Sequence, residues 1–385
     1  MQLAKRLNGI GEYYFSQKLR EIDELNKQDR NVINLGVGSP DLPPHPDVIK
    51  VLQQETAKPN VHAYQPYKGS PVLRNAISQW YKKWYAVDLS PESEILPLIG
   101  SKEGIMHICM TYLGEGDVAL VPNPGYPTYR TAVQLAGAKS VEYELKEENN
   151  YEPQLSSTYS EEGKLKLLFL NYPHMPTGQL PTKDLFERLV KWAKGNNVLI
   201  VHDNPYSFIL NDAPMSMLSI GGAKDCVIEL NSLSKSHNMA GWRVGMLCGA
   251  KERIDEVLRF KSNMDSGMFL PVQLAAAKAL ELGEEWYKKV NNVYKERREL
   301  VFELLDILGC NYSTKQAGMF AWARIPANYK DGYALSNEVL HQANVFITPG
   351  GIFGTAGENY VRVSLCTTKE KIAEAIGRVK ALQRP

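Results

Sequence analysis

An α/β fold built on a mostly parallel central sheet is what three features of the 385-residue sequence predict. From about Glu94 to Gly249, short apolar runs alternate with helix-length amphipathic segments, the order that produces parallel strands covered by helices. The runs are apolar throughout rather than alternating, as strands buried on both faces must be. Each strand of the series also ends near a cluster of Gly, Pro, Asn, Asp or Ser, and in such sheets these clusters collect along the carboxyl edge, where ligands bind.

Taken in order, SEILPLIG predicts a strand and EGIMHICMTYL the helix after it. DVALVPNP pairs in the same way with YRTAVQLAG, and KLKLLFLNYP with TKDLFERLVKWAKG. VLIVHDNP, CVIELNSLS and VGMLCGA complete the strand series. Beyond Lys251, IDEVLRFKSN reads as a helix, followed by one long helical stretch, VQLAAAKALELGEEWYKKVNNVYKERRELVFELLDILG, that leads into a second domain. GMFAWARI and NYVRVSL are strands of that domain, and KEKIAEAIGRVKALQ is a closing helix. The chain is too long for one compact core. Residues 45–265 are expected to form the large α/β domain, and residues 1–44 with 266–385 a smaller α+β domain.

Composition excludes several function classes. Lys+Arg 44 against Asp+Glu 43 gives a formal net charge of +1, so no electrostatic argument favours a nucleic acid or an anionic membrane surface. The five cysteines lack the spacing of a zinc site or a disulfide framework and read as thiols of a reducing compartment. No apolar run reaches the ~18 residues of a membrane span. MQLAKRLNGIGEYYF has no signal-peptide core. A cytoplasmic protein is expected.

The post-strand clusters carry the chemistry. Gly100-Ser101-Lys102 opens a helix, whose free backbone N–H groups and dipole favour an anion. In SLSKSHNMAGWRVG, Ser232 and Ser234 add hydroxyl donors, and Arg243 adds a planar fork suited to phosphate oxygens. Lys235, buried beside an arginine, would be biased to the neutral amine and could form a Schiff base with a carbonyl cofactor. Asp203, at the end of a buried strand, needs a positive partner such as a protonated pyridine nitrogen. Tyr206 could reach a ring oxygen, and Tyr126 could stack on a flat heterocycle.

With its neighbours NLGVGSPD, YQPYKGSPVLRNAI, GSKEGI, PNPGYPTY, NYPHMPTG, HDNPYS and YVRVSL, the SLSK segment resembles the class I/II aminotransferases of pyridoxal-phosphate fold type I over nearly the whole chain. The wording of several segments is closest to the LL-diaminopimelate aminotransferase-like subgroup. The resemblance implies that Lys235 bears the cofactor and moves the substrate Cα proton, that Asp203 pairs with the ring nitrogen and that Tyr206 meets the ring hydroxyl. It places Tyr126 on the ring face and the phosphate among Gly100, Ser101, Lys102, Ser232, Ser234 and Arg243. Tyr64 would reach that phosphate from a second subunit, implying a homodimer with shared active sites. Arg362, helped by the Gly38 backbone, would clamp the substrate α-carboxylate. The N-terminal aromatic segment would place Tyr14 and Phe15 near the substrate.

One position departs from the pattern. Similar enzymes read Asn-Pro-Thr-Gly where this chain reads Met175-Pro176-Thr177-Gly178, and a thioether cannot donate the hydrogen bonds of an amide. Asn171 or His174 could compensate. His107 reads as a packed helix residue, and His62, His174, His202, His237 and His341 show no metal-ligand spacing, so they read as structural residues or supports of the site. The implied activity is a ping-pong transfer of an amino group from an L-amino acid to a 2-oxo acid, most often 2-oxoglutarate. The rivals are a β-lyase acting on C–S bonds with the same scaffold, and a non-catalytic cofactor-binding module.

Overall fold

The computed structural model describes residues 2–155, 159 and 163–382. The chain starts with helix α1 (Tyr14–Lys27), strand β1 (Ile33–Asn34), α2 (Pro46–Thr56) and α3 (Pro71–Tyr85). Ser70 caps α3, its hydroxyl accepting from Leu73 N–H, and Pro71 follows at the first helical position, where its missing N–H costs nothing. The alternating core comes next: β2 (Ile95–Leu98), α4 (Ser101–Tyr112), β3 (Asp117–Asn123), α5 (Thr128–Leu135), β4 (Lys139–Glu144), β5 (Lys164–Asn171), α6 (Lys183–Asn196), β6 (Leu199–Asp203), β7 (Val227–Ser232), α7 (Leu233–Ser236), β8 (Gly245–Gly249) and α8 (Lys251–Lys261).

These strands form one seven-stranded sheet in the order β2-β8-β7-β6-β5-β3-β4. Only β8 runs against its neighbours, pairing antiparallel with both β2 and β7. The carboxyl ends of β2, β3, β5, β6 and β7 therefore lie along one edge, and the five expected clusters meet there. One apolar layer lies under α4, α5 and α8 and includes Phe169, Val201 and Ile228; the other holds Ile200 and Val227 against α3 and α6. Strand β4 was not expected: KSVEYE is polar and largely exposed, with only Tyr143 buried, as suits an edge strand but not an apolar-run criterion.

The remainder comprises α9 (Leu270–Leu280), α10 (Glu284–Ile307), β9 (Asn311–Tyr312), β10 (Phe320–Arg324), α11 (Gly332–Ala343), β11 (Val345–Phe346), β12 (Thr348–Pro349), β13 (Tyr360–Ser364) and α12 (Lys369–Leu382). A four-stranded sheet orders as β12-β13-β10-β9, and β1 pairs with β11. The single long helix expected after α8 is two helices. Gly283 starts α10, with Glu284 and Glu285 in the first turn favouring a new N-terminus. The Ala-rich α9 is buried against α2 and α3, while α10 packs on α12 and β10. No helix among the described residues is long and apolar enough to cross a membrane.

Candidate active site

The carboxyl edge of the large sheet and the small sheet enclose a cavity of about 370 Å³. Gly38, Ser101, Lys102, Tyr126, Asn171, Met175, Asp203, Tyr206, Ser232, Ser234, Lys235, Arg243 and Arg362 all line it, so thirteen expected residues meet in one place.

One end of the cavity gathers a helix N-terminus, hydroxyls and a guanidinium, groups that favour an anion. Ser101 opens the twelve-residue helix α4, and Gly245 makes that approach possible: a Cβ there would lie 2.6 Å from Ser101 N. Arg243 stands beside it, its Nη1 3.4 Å from Ser234 Oγ. Gly100 does not line the cavity but backs the guanidinium, since its Cβ would meet Arg243 Nη2 at 2.1 Å and its φ is +80°. Gly100→Ala is therefore expected to cost about 1–2 kcal/mol in backbone strain. It also pushes Arg243 out of place, so that calorimetry shows cofactor affinity falling about tenfold or more with the fold retained.

At the centre, Asp203 Oδ2 accepts from Tyr129 O–H at 2.8 Å, while Oδ1 is buried without a partner. Burial pushes the carboxyl up to about 6, opposed by the Tyr129 hydrogen bond and the His202 charge. Tyr129 stacks on Phe169 and presents its edge to Tyr126, fixing both phenols. Lys235 Nζ donates to the Gly38 carbonyl at 2.7 Å. Burial holds its ammonium below the usual lysine range; Cys366 opposes that shift, while Arg362 and Arg243 add to it. Burial also raises the Tyr206 phenol, keeping its proton available for donation.

Arg362, on β13, has no carboxylate partner among the described residues. Nη2 donates to Gly36 O at 2.8 Å, Nη1 meets Met175 Sδ at 3.2 Å, and Nε has no partner. The guanidinium lies 3.8 Å from the Phe320 ring centroid and 4.7 Å from that of Phe353. Burial lowers it to about 10. A buried, π-sandwiched guanidinium that meets only one backbone carbonyl and a sulfur keeps donors free that suit a carboxylate.

The placements of Tyr14 and of Asn171 with His174 differ from expectation, whereas Tyr64 was expected to act on a second subunit. Tyr14 turns away from the cavity and packs edge-on to Tyr333, while its neighbours Tyr13 and Phe15 line the mouth. The cause is the helical start at Tyr14, where consecutive side chains diverge by about 100°. Tyr64 lies outside the cavity and is 90% exposed. Asn171 lines the wall, but its amide is committed: Nδ2 donates to Asp203 O at 2.6 Å and Oδ1 accepts from Met175 N–H at 2.9 Å. His174 is buried against Thr177 with its ring held neutral by burial, so neither residue replaces the amide missing at Met175. Tyr13, Tyr129, Phe320 and Phe353 were not anticipated. His107, packed against Phe260, lies with Glu103 and Asp265 in one cluster in which Lys261 already pairs with Asp265.

Comparison with known proteins identifies the family. Residues 30–379 match the family described as aminotransferase class I and II. The chain is 39% identical to the LL-diaminopimelate aminotransferase of Dehalococcoides mccartyi, with 100% of both sequences covered. It is 38% identical to that of Aquifex aeolicus, covering 99% of each. Substrate-bound BacF from Bacillus subtilis superposes with a TM-score of 0.94 at 34% identity, covering 100% of this chain and 99% of that one. The curated relatives are named as aminotransferases, which sets aside the non-catalytic reading. On sequence and on architecture alike, the chain belongs to the class I and II aminotransferases.

Proposed function

We propose that this aminotransferase moves an amino group from an L-amino acid to a 2-oxo acid, 2-oxoglutarate in the common case, by a ping-pong cycle at the cavity around Lys235. The observation that carries the reading is the convergence of three groups in one cavity: the Lys235 amine, whose ammonium form burial disfavours, and the partnerless Asp203 Oδ1 and Arg362 Nε.

Pyridoxal 5′-phosphate is the cofactor of this family, and the residues present fit it. The N-terminus of α4 with Ser232, Ser234 and Arg243 suits the phosphate, Asp203 Oδ1 a ring N–H, Tyr206 a ring oxygen and Tyr126 the ring face. Bound there, it supplies a carbonyl for amino groups and an electron-withdrawing ring. The chain's own residues do the rest. With the cofactor bound, Lys235 Nζ, biased to its neutral form, would take the proton from the substrate Cα and hold it for return. Arg362 fixes the α-carboxylate and with it the angle of the Cα–H bond, while Tyr13 and Phe15 cover the mouth against water.

A homodimer completes the proposal. Tyr64 is exposed beside other exposed apolar side chains, Tyr67, Met264 and Phe269, and the 65–66 backbone touches Gly267, so these form one patch that a second copy would cover. The five free thiols support work in a reducing, cytoplasmic setting. Residues 45–265 against the rest remains our proposed division into domains. LL-diaminopimelate is the substrate named for the two curated relatives, and it heads the donors to be tried.

The test is an absorbance titration of the cofactor-loaded protein with single amino acids and no oxo acid. Conversion of the yellow form by some of them supports the half-reaction and ranks donors; a spectrum that no amino acid alters would overturn the reading. Met175→Asn adds an amide donor beside Arg362 and the ring oxygen. With one hydrogen bond worth about 1 kcal/mol, KM for the donor is expected to fall three- to tenfold and kcat to change less than threefold in steady-state assays.

A further inference from the structure

The reverse face of the sheet holds a buried ionisable pair behind Asp203. Side chains alternate faces along a strand, so His202 points away from Asp203 on β6, into the layer under α3 and α6. It is completely buried. Its Nε2 lies 3.1 Å from the Tyr172 carbonyl oxygen and its Nδ1 2.8 Å from Glu229 Oε2. A carbonyl oxygen only accepts, so Nε2 carries a proton.

The partner decides the second nitrogen. Glu229 on β7 is also completely buried. Its Oε1 accepts from Tyr81 O–H at 2.9 Å, its Oε2 from Met217 N–H at 3.0 Å, and Ser216 Oγ lies 2.9 Å from both oxygens. Donors on every side favour the ionised carboxylate, and an ionised carboxylate requires that Nδ1 donate as well. A lone buried carboxylate would be prohibitive, whereas a paired and fully hydrogen-bonded one is not.

We infer that His202 and Glu229 form a buried imidazolium–carboxylate pair, and that His202 is a positioning residue whose charge, acting through β6, keeps the Asp203 carboxylate ionised beneath the cofactor ring.

The surroundings leave that role to His202. The groups facing the pair from other elements are Tyr81 and Tyr85 on α3, Cys248 on β8 and the Phe186 ring on α6, 5.1 Å from His202. Burial holds both phenols and the thiol in their neutral forms, and Glu229 adds to each shift. Lys224, which acts on Cys248, is already paired with Glu94 at 2.8 Å. The His202 charge in turn lowers the Asp203 carboxyl, against burial. His202 also grips mechanically: by holding the Tyr172 carbonyl it ties down the end of β5, where Asn171 grips the Asp203 backbone.

The charge state stands alone, while its consequence for the cofactor rests on Asp203 as the partner of the ring nitrogen. The experiment follows the His202 ring nitrogens and the Asp203 carboxyl carbon by NMR in the cofactor-free full-length protein, with pyridoxal phosphate affinity measured in parallel. Both His202 nitrogens are expected to carry protons in the wild type at pH 7.5, as its two acceptors require, and only one in Glu229→Gln. The Asp203 midpoint is expected to move up by as much as about one pH unit in His202→Gln and to stay put in Phe186→Leu, which alters packing but no charge. Cofactor affinity at pH 6 then falls by up to about fivefold in His202→Gln, in proportion to the ionised fraction of Asp203, whose wild-type midpoint is about 6. A bare ring nitrogen in the wild type overturns the inference without any variant having to fold, and so does an unmoved Asp203 midpoint. A moved midpoint with unchanged cofactor affinity upholds the pair and overturns Asp203 as the ring's anchor.

Discussion

Lys235→Ala is expected to lower the rate of the amino-acid half-reaction at least about 10⁴-fold, measured by single-turnover absorbance. Acid–base catalysis by a positioned group contributes about 10²–10⁴, and the same amine is also the covalent attachment point. Stability should hardly change. The substitution removes one hydrogen bond, to the Gly38 carbonyl, worth about 1 kcal/mol. It also removes an amine that burial and two guanidiniums already make unfavourable as a cation. The space left is the size of a small primary amine. Added ethylamine should therefore restore part of the rate in proportion to its free base, because a diffusible amine can carry the Cα proton. Lys235→Arg should show no such rescue, since the guanidinium fills the space and keeps its proton. Activity of Lys235→Ala within tenfold of the wild type would remove Lys235 from the chemistry.

How much of this site the chain spelled out depended on the kind of signal. The five clusters were legible because each follows an apolar run, and the parallel topology then brings them to one edge whatever the details of packing. Arg362 was legible only through the resemblance; nothing in YVRVSL says that the guanidinium would be sandwiched by Phe320 and Phe353, which read as ordinary apolar residues. Tyr14 failed by one position, because the phase of a helix that starts at that residue is set by what it packs against. Strand β4 was hidden by its polar edge character, and the α9–α10 break by a lone glycine within an otherwise helical pattern. The His202–Glu229 pair was invisible for a different reason. The two residues are neighbours only because β6 and β7 align in register, and each alone reads as an anomaly in a buried strand.

Asp203→Asn should move stability and activity in opposite directions. In the cofactor-free protein, burial raises the Asp203 carboxyl from its usual 3.8 to about 6. Between those values the folded state holds a proton that the unfolded state has released, so stability declines as pH rises through this window and stays lower above it. A shift of that size corresponds to about 3 kcal/mol. Asparagine has no charge to bury and can still accept from Tyr129, so the cofactor-free variant should unfold at a higher temperature than the wild type at pH 7–8. Below about pH 4 the difference should vanish. With cofactor the balance reverses. The variant loses a charge-assisted hydrogen bond to the ring nitrogen, worth about 1.5–3 kcal/mol, so affinity should fall about tenfold to a hundredfold. Turnover should fall at least about a hundredfold, because the ring no longer keeps the proton that lets it draw electrons from Cα. A purely structural Asp203 would show stability and activity falling together at every pH, and scanning calorimetry with and without pyridoxal phosphate at pH 4 and pH 8 separates the two.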